Sequence, residues 1–276
     1  YRTEEGGSRI LRRYREILRA WPVPSEQLLV PTREGETFVV ASGPPDAPPL
    51  LLLHGSGTNT SMWMGDVAAM AAHFRVYAVD MIGEPGLSAP SRPPLASEAY
   101  ARWLDDVLDG LGLTRASIVG ASLGGWLAVD YATRRPHRVH RLAPLCPGGV
   151  GRQKTGWLVK VALLRPFGRW GRRRAITTVT GLDPALTEAL LDDMVLTFTH
   201  FKPRMGLPTF TDEALGRLSM PVLVIVGERD VMIDSRHTAS RVRQSVPDAT
   251  VRLLPGVGHA ILGQTEAVLA FLRPSA

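Results

Sequence analysis

The stretch that most constrains this chain is ASIVGASLGGWLAVDYA, residues 116–132. An apolar run ends at Gly120, one serine stands among small residues, and a helix-type pattern begins at once. Gly120-Ala121-Ser122-Leu123-Gly124 is a G-x-S-x-G pattern. Glycine makes up 27 of 276 residues, so the pattern by itself is common. Its context is specific: a strand precedes it, a helix follows it, and small residues two positions either side of the serine let the two approach closely. Such a turn strains the serine backbone and projects the hydroxyl above the strand end.

Around this turn the chain alternates strand-like and helix-like stretches. Strands are expected over 27–30 and 37–41 around the turn TREGE, at the four leucines 50–53, in FRVYAVD (74–80), up to Gly120, and within VHRLAPLCPGG, MPVLVIVGERD and ATVRLLPGVGHA. Four consecutive leucines between prolines and glycines suit a strand buried on both faces, the habit of a parallel sheet. Amphipathic spacing predicts helices over 8–20, 62–72, 98–113, 235–245 and 263–272, and one directly after Ser122. Strands alternating with helices give an α/β fold, a parallel sheet with helices on both faces.

The alternation breaks once. Residues 150–213 show no strand signal, gather Trp157, Phe167, Trp170, Phe198, Phe201 and Phe210, and hold ten of the basic residues. They read as a helical segment inserted between two core strands. The expected core is then 1–149 with 214–276, including the helix at 8–20.

Composition narrows the function classes. No apolar run reaches the ~20 residues that span a bilayer. No amino-terminal segment pairs a basic start with an apolar stretch, so no secretory leader is expected. Cys146 is the only cysteine, which rules out a disulfide framework within the chain and fits a reducing compartment; a cytoplasmic location is expected. The net charge is +6, and all but three of the 32 basic residues are arginine. No nucleic-acid motif accompanies that charge, so a nucleic-acid partner is not expected. The run Arg172-Arg173-Arg174 reads as a solvated helix face. The expected partner is a small-molecule substrate.

A serine hydroxyl is a poor nucleophile unless a base takes its proton. Of the seven histidines, only His259 follows a late strand, in LLPGVGHAIL, where glycines let a loop rise over the sheet edge. A carboxylate must orient that histidine. Asp230 ends the strand in VIVGERD, and Glu228 and Asp234 are rivals a few residues away. The strand-end position favours Asp230, while Asp234 suits the start of the next helix. The order Ser122, Asp230, His259 is the one this architecture uses. An oxyanion needs backbone N–H donors. Leu123 follows the nucleophile, and Ser56 lies in HGSG after the leucine strand. His54, beside that loop, is expected to make structural hydrogen bonds. No metal-ligand spacing appears, and no cofactor is expected.

The motifs LLLHGSG, VYAVDMIGEPGLS, GASLGG, VLVIVGERD and GVGHA together resemble the α/β-hydrolase superfamily in order and spacing, from about residue 35 onward. GEPGLS, and FTDEALGRL ahead of MPVLVIVGERD, are similar to bacterial carboxylesterase-like members. The resemblance implies an eight-stranded, mostly parallel sheet with a helical cap inserted after the sixth strand. It also implies Ser122, Asp230 and His259 as a catalytic triad cleaving carboxylic esters. Lactone, amide and carbon–carbon cleavage use the same triad, some relatives are lyases or cyclases, and a non-catalytic ligand-binding member is the reading of another class. Epoxide and haloalkane chemistry needs an aspartate where this chain has Ser122. Where many relatives carry Gly-His-Gly, this chain has Gly83-Glu84-Pro85-Gly86. Phe198 and Phe201, flanking Thr199-His200, are the candidate pocket walls.

Overall fold

A computed structural model describes residues 1–185, 187–204 and 206–273. The chain opens on α1 (Glu4–Leu18), then β1 (Ser25–Thr32), β2 (Gly35–Ser42) and β3 (Pro49–Leu53). Next come α2 (Val67–Ala71), β4 (Arg75–Val79), α3 (Ala99–Gly110), β5 (Ala116–Ala121), α4 (Leu123–Arg134) and β6 (Val139–Leu145). Three helices follow, α5 (Gly156–Leu164), α6 (Gly168–Thr180) and α7 (Glu188–His200), with the short α8 (Asp212–Leu215). The chain ends with β7 (Val222–Gly227), α9 (Ser235–Ser245), β8 (Ala249–Leu254) and α10 (Thr265–Leu272).

The strands form one eight-stranded sheet in the order β1-β2-β4-β3-β5-β6-β7-β8. β1 and β2 pair antiparallel, as do β2 and β4, and every later pairing is parallel. The leucine run explains the layering. Successive side chains of a strand point to opposite faces, so Leu51 and Leu53 pack with Trp103, Leu104 and Leu127 of α3 and α4. Leu50 and Leu52 pack with Met70 of α2 and Leu269 of α10 on the other face. All four leucines are fully buried.

Local details depart from the sequence expectation. The first helix runs from Glu4, not residue 8. Thr3 caps it, its hydroxyl accepting from Gly6 N–H at 3.1 Å, and Glu4 and Glu5 favour the positive helix end. Gly6 and Gly7 lie in this first turn, where an added Cβ would come 2.5 Å from His200 of α7 and 2.9 Å from Tyr1 respectively. Close packing decides those positions. The helix expected over 62–72 is a short turn at Thr60–Trp63 and then α2, with Gly65 between them.

α5, α6 and α7 interrupt the strand–helix alternation between β6 and β7. A small core of Ile176, Leu182, Leu191 and Val195 holds α6 to α7, with Phe198 packed against it. Phe210 instead belongs to the main core, stacked on Trp126 with ring centroids 5.7 Å apart. Arg13 of α1 pairs with Asp193 of α7 at 2.7 Å, so the first helix braces the inserted segment.

Candidate active site

Ser122 sits between β5 and α4 with φ 53° and ψ −108°, in the region L-residues avoid. Three glycines allow the turn. A Cβ at Gly120 would strike the backbone of Gly124 and Gly125, and one at Gly124 would strike the carbonyls of Leu53 and His54. One at Gly125 would press on Gly120 O at 3.0 Å. Strand and helix therefore meet backbone to backbone, and the serine side chain is left at the strand end.

The Ser122 hydroxyl lies 2.9 Å from His259 Nε2. His259 Nδ1 lies 2.7 Å from Asp230 Oδ2. Asp230 is almost fully buried. Its Oδ1 accepts from the N–H groups of Met232 at 2.7 Å and Ile233 at 3.1 Å, which fixes the carboxylate. Lys154 donates to the Asp230 carbonyl at 2.9 Å. The rivals are engaged elsewhere: Asp234 caps α9 by accepting from His237 N–H, and Glu228 pairs with Arg236.

Burial disfavours the charged form of His259, while the facing Cys146 sulfur and the Asp230 carboxylate favour it. The balance holds the imidazole well above the usual histidine range. Cys146, at the end of β6, also has a positive φ of 39°. The loop carrying His259 is gripped from both sides. A Cβ at Gly227 would meet the carbonyls of Gly258 and Val257, and one at Gly258 would lie 2.8 Å from Gly181 Cα. Ala260 N–H donates to Thr180 O at 2.8 Å, joining that loop to the end of α6.

The loop after β3 borders the serine: a Cβ on Gly55 would lie 3.7 Å from Ser122 Cβ. Leu123 opens α4, so its N–H has no intrahelical acceptor. His54 is fully buried and engaged in structure, its Nε2 accepting from Met81 N–H at 2.9 Å and its Nδ1 facing Gly55 O at 2.9 Å. Burial lowers its basicity. Phe198 reaches the same loop, since a Cβ on Gly57 would touch its ring at 2.6 Å. Phe201 packs elsewhere, edge-on to Tyr1 at 5.8 Å and beneath the Arg92 guanidinium at 5.4 Å.

Glu84 is the residue that sequence reasoning missed. Its Oε2 accepts from Gly57 N–H at 2.7 Å and from the Ser56 hydroxyl at 3.2 Å. Burial pushes it up to about 6, against the pull of the Gly57 N–H, Arg92 and Ser56. The GEPG departure was visible in the sequence, but only the folded chain brings residue 84 beside residues 56 and 57. A narrow cavity borders Glu84, Tyr100, Leu123 and Trp126.

A strand–serine–helix turn, a buried Ser-His-Asp line and a helical insertion after the sixth strand define an α/β hydrolase. The model of the alpha/beta hydrolase family matches residues 50–271. The chain is 34% identical to the carboxylesterase YbfK of Bacillus subtilis, over 97% of this chain and 95% of that protein. It is 32% identical to the uncharacterized carboxylesterase nap of the same organism, over 93% and 88%. The crystal structure of naproxen esterase from Bacillus subtilis superposes with a TM-score of 0.87 at 30% identity, covering 98% of this chain and 99% of that one. The chain belongs to the alpha/beta hydrolase family and is carboxylesterase-like within it. No helix among the described residues is long and apolar enough to cross a membrane.

Proposed function

We propose that this chain cleaves carboxylic esters through an acyl-enzyme on Ser122. The observation that carries the reading is the unbroken line from Asp230 through His259 to Ser122, at 2.7 and 2.9 Å. His259 Nδ1–H donates to Asp230, which leaves Nε2 free to accept the serine proton. Ser122 Oγ then attacks the ester carbonyl. The backbone N–H groups of Leu123 and Ser56 are assigned to the resulting oxyanion. His259 returns the proton to the leaving alcohol, and water deacylates Ser122 by the same route. The carboxylesterase relatives support the choice of ester over other acyl substrates. Residues 150–213 are assigned to the cap over the strand ends, with Phe198 as a pocket wall. Phe201 is assigned to joining the cap to the core. The residues present suffice for acyl transfer without a metal or organic cofactor.

The test has two arms. A fluorophosphonate probe should label the wild-type chain and leave Ser122→Ala unlabelled. A panel of p-nitrophenyl esters of graded acyl length, with lactones and amides alongside, should show ester turnover that Ser122→Ala lacks. Labelling of the alanine variant, or turnover of lactones or amides alone, would overturn the proposal.

A further inference from the structure

We infer that the elbow formed by α5 and α6 docks on anionic lipid surfaces. α5 carries the sequence GWLVKVALL, yet none of its residues is buried. A helix that is apolar on most sides normally sits inside something. Nine large apolar side chains are exposed among the described residues, and five of them lie within this one elbow. They are Leu158, Val159, Leu163, Phe167 and Trp170, the last three each more than 60% exposed. Scattered exposed leucines are ordinary, but a concentration of this kind marks a surface that meets something apolar.

The elbow is a shaped feature. A Cβ on Gly171 would strike Leu164 O and lie 3.0 Å from Phe167 Cβ, so α6 folds back tightly on the end of α5. Phe167 and Trp170 meet edge to face at 5.8 Å on its outer side. The inner side is joined to α7, where Asp192 pairs with Arg169 at 2.8 Å and also with Arg173.

Charge identifies the occupant. Residues 155–182 contain six basic residues and no acidic one. With Arg169 and Arg173 engaged by α7, Lys160, Arg165, Arg172 and Arg174 remain exposed and, among the described residues, unpaired. Apolar side chains with a tryptophan, rimmed by cations, match the boundary between headgroups and acyl chains of an anionic bilayer. A second copy docked symmetrically would set these cations against each other. Nucleic acid would use the arginines but would leave Leu163, Phe167 and Trp170 in water. This inference stands apart from the ester-cleaving reading, because docking needs neither Ser122 nor a substrate.

The experiment is vesicle co-flotation with the full chain, run in parallel on wild-type and Ser122→Ala protein. The vesicles are pure phosphatidylcholine, or phosphatidylcholine mixed equally with phosphatidylglycerol. Both proteins should float with the mixed vesicles and not with the neutral ones, and added salt should weaken the binding. The double variant Leu163→Ser/Trp170→Ser and the separate double variant Arg165→Glu/Arg172→Glu should each lower partitioning by about tenfold or more. All four side chains are exposed, and unchanged melting temperatures would confirm that the variants fold. Absence of wild-type binding to the mixed vesicles, or equal binding to the neutral ones, would overturn the inference. So would a solution dimer, seen by sedimentation velocity, that Leu163→Ser/Trp170→Ser dissolves, since the face would then be covered by a second copy.

Discussion

The carboxylate of Glu84 accepts the Gly57 N–H at 2.7 Å and so holds the loop that borders Ser122. Burial raises this carboxyl from 4.5 to about 6. Between those pH values the folded chain binds more protons than the unfolded one, so the contribution of Glu84 to stability falls as pH rises through that window. At neutral pH Glu84 is therefore a cost of at most about 2 kcal/mol. Glu84→Gln should raise the melting temperature at pH 7, and the gain should vanish below about pH 4.5. Its kcat should fall while KM changes little, because the loop assigned to the oxyanion loses its anionic anchor. A variant that gained neither stability nor a kcat defect would remove Glu84 from this role.

The proposed triad acid can be separated from its neighbour. Asp230→Asn should lower kcat by about 10⁴-fold, since the amide favours the wrong imidazole tautomer. Asp234→Asn should leave kcat near the wild-type value, as Asn also caps helices well. Wild-type kcat/KM should rise with pH along a limb above the usual histidine range, because the imidazole must be neutral to act. In Asp230→Asn that limb should move to lower pH. Steady-state kinetics across pH for both variants decides the assignment.

Turnover should be independent of metal. Extended dialysis against a chelator should leave kcat unchanged, whereas Ser122→Ala should abolish turnover and preserve the melting temperature. Activity lost to the chelator and restored by a divalent ion would contradict the mechanism.

Phe198 and Phe201 should behave differently. Phe198 touches the Gly57 loop, and Phe198→Ala should shift the acyl-length preference. Phe201 is buried between Tyr1 and Arg92, and Phe201→Ala should cost about 3–5 kcal/mol of stability with the preference unchanged. Chain-length profiles and thermal melts of the two variants check both outcomes.

The grip on the histidine loop gives a final prediction. Gly258→Ala introduces a Cβ 2.7 Å from Thr180 O and 2.8 Å from Gly181 Cα. It should lower kcat at least about tenfold by displacing His259, given that a misplacement of about 1 Å costs roughly 10²-fold. Gly156→Ala, where a Cβ meets nothing within 4 Å, should be silent or slightly stabilising. Equal behaviour of the two variants would show that the contact is slack.

Much of this was legible in the sequence because its causes are local. Four leucines in a row can hardly be anything but a strand covered on both faces, and G-x-S-x-G between a strand and a helix allows one kind of turn. Strand ends and chain order point to Asp230 and His259, and the fold brings both into line with Ser122. What sequence reasoning missed depends on tertiary approach. The apolar stripe marks the first helix only from residue 8, and its start at Glu4, with Gly6 and Gly7 packed against His200 and Tyr1, does not show in it. Glu84 is an ordinary loop acid until the fold sets it against Gly57. Phe198 and Phe201 are three residues apart and look equivalent, yet one meets the Gly57 loop and the other fills a seam between Tyr1 and Arg92.

The contact between Gly181 and Gly258 also bears on exchanging the inserted helical segment between relatives. The end of α6 touches the histidine loop through bare backbone, reinforced by the bond from Ala260 N–H to Thr180 O. A transplanted α5–α7 segment with a side chain at the position of Gly181 would push His259 away from Ser122, although Ser122, His259 and Asp230 were all still present. Under the proposed function such chimaeras would inherit specificity and rate together, so the segment is exchanged intact only with residues 256–260.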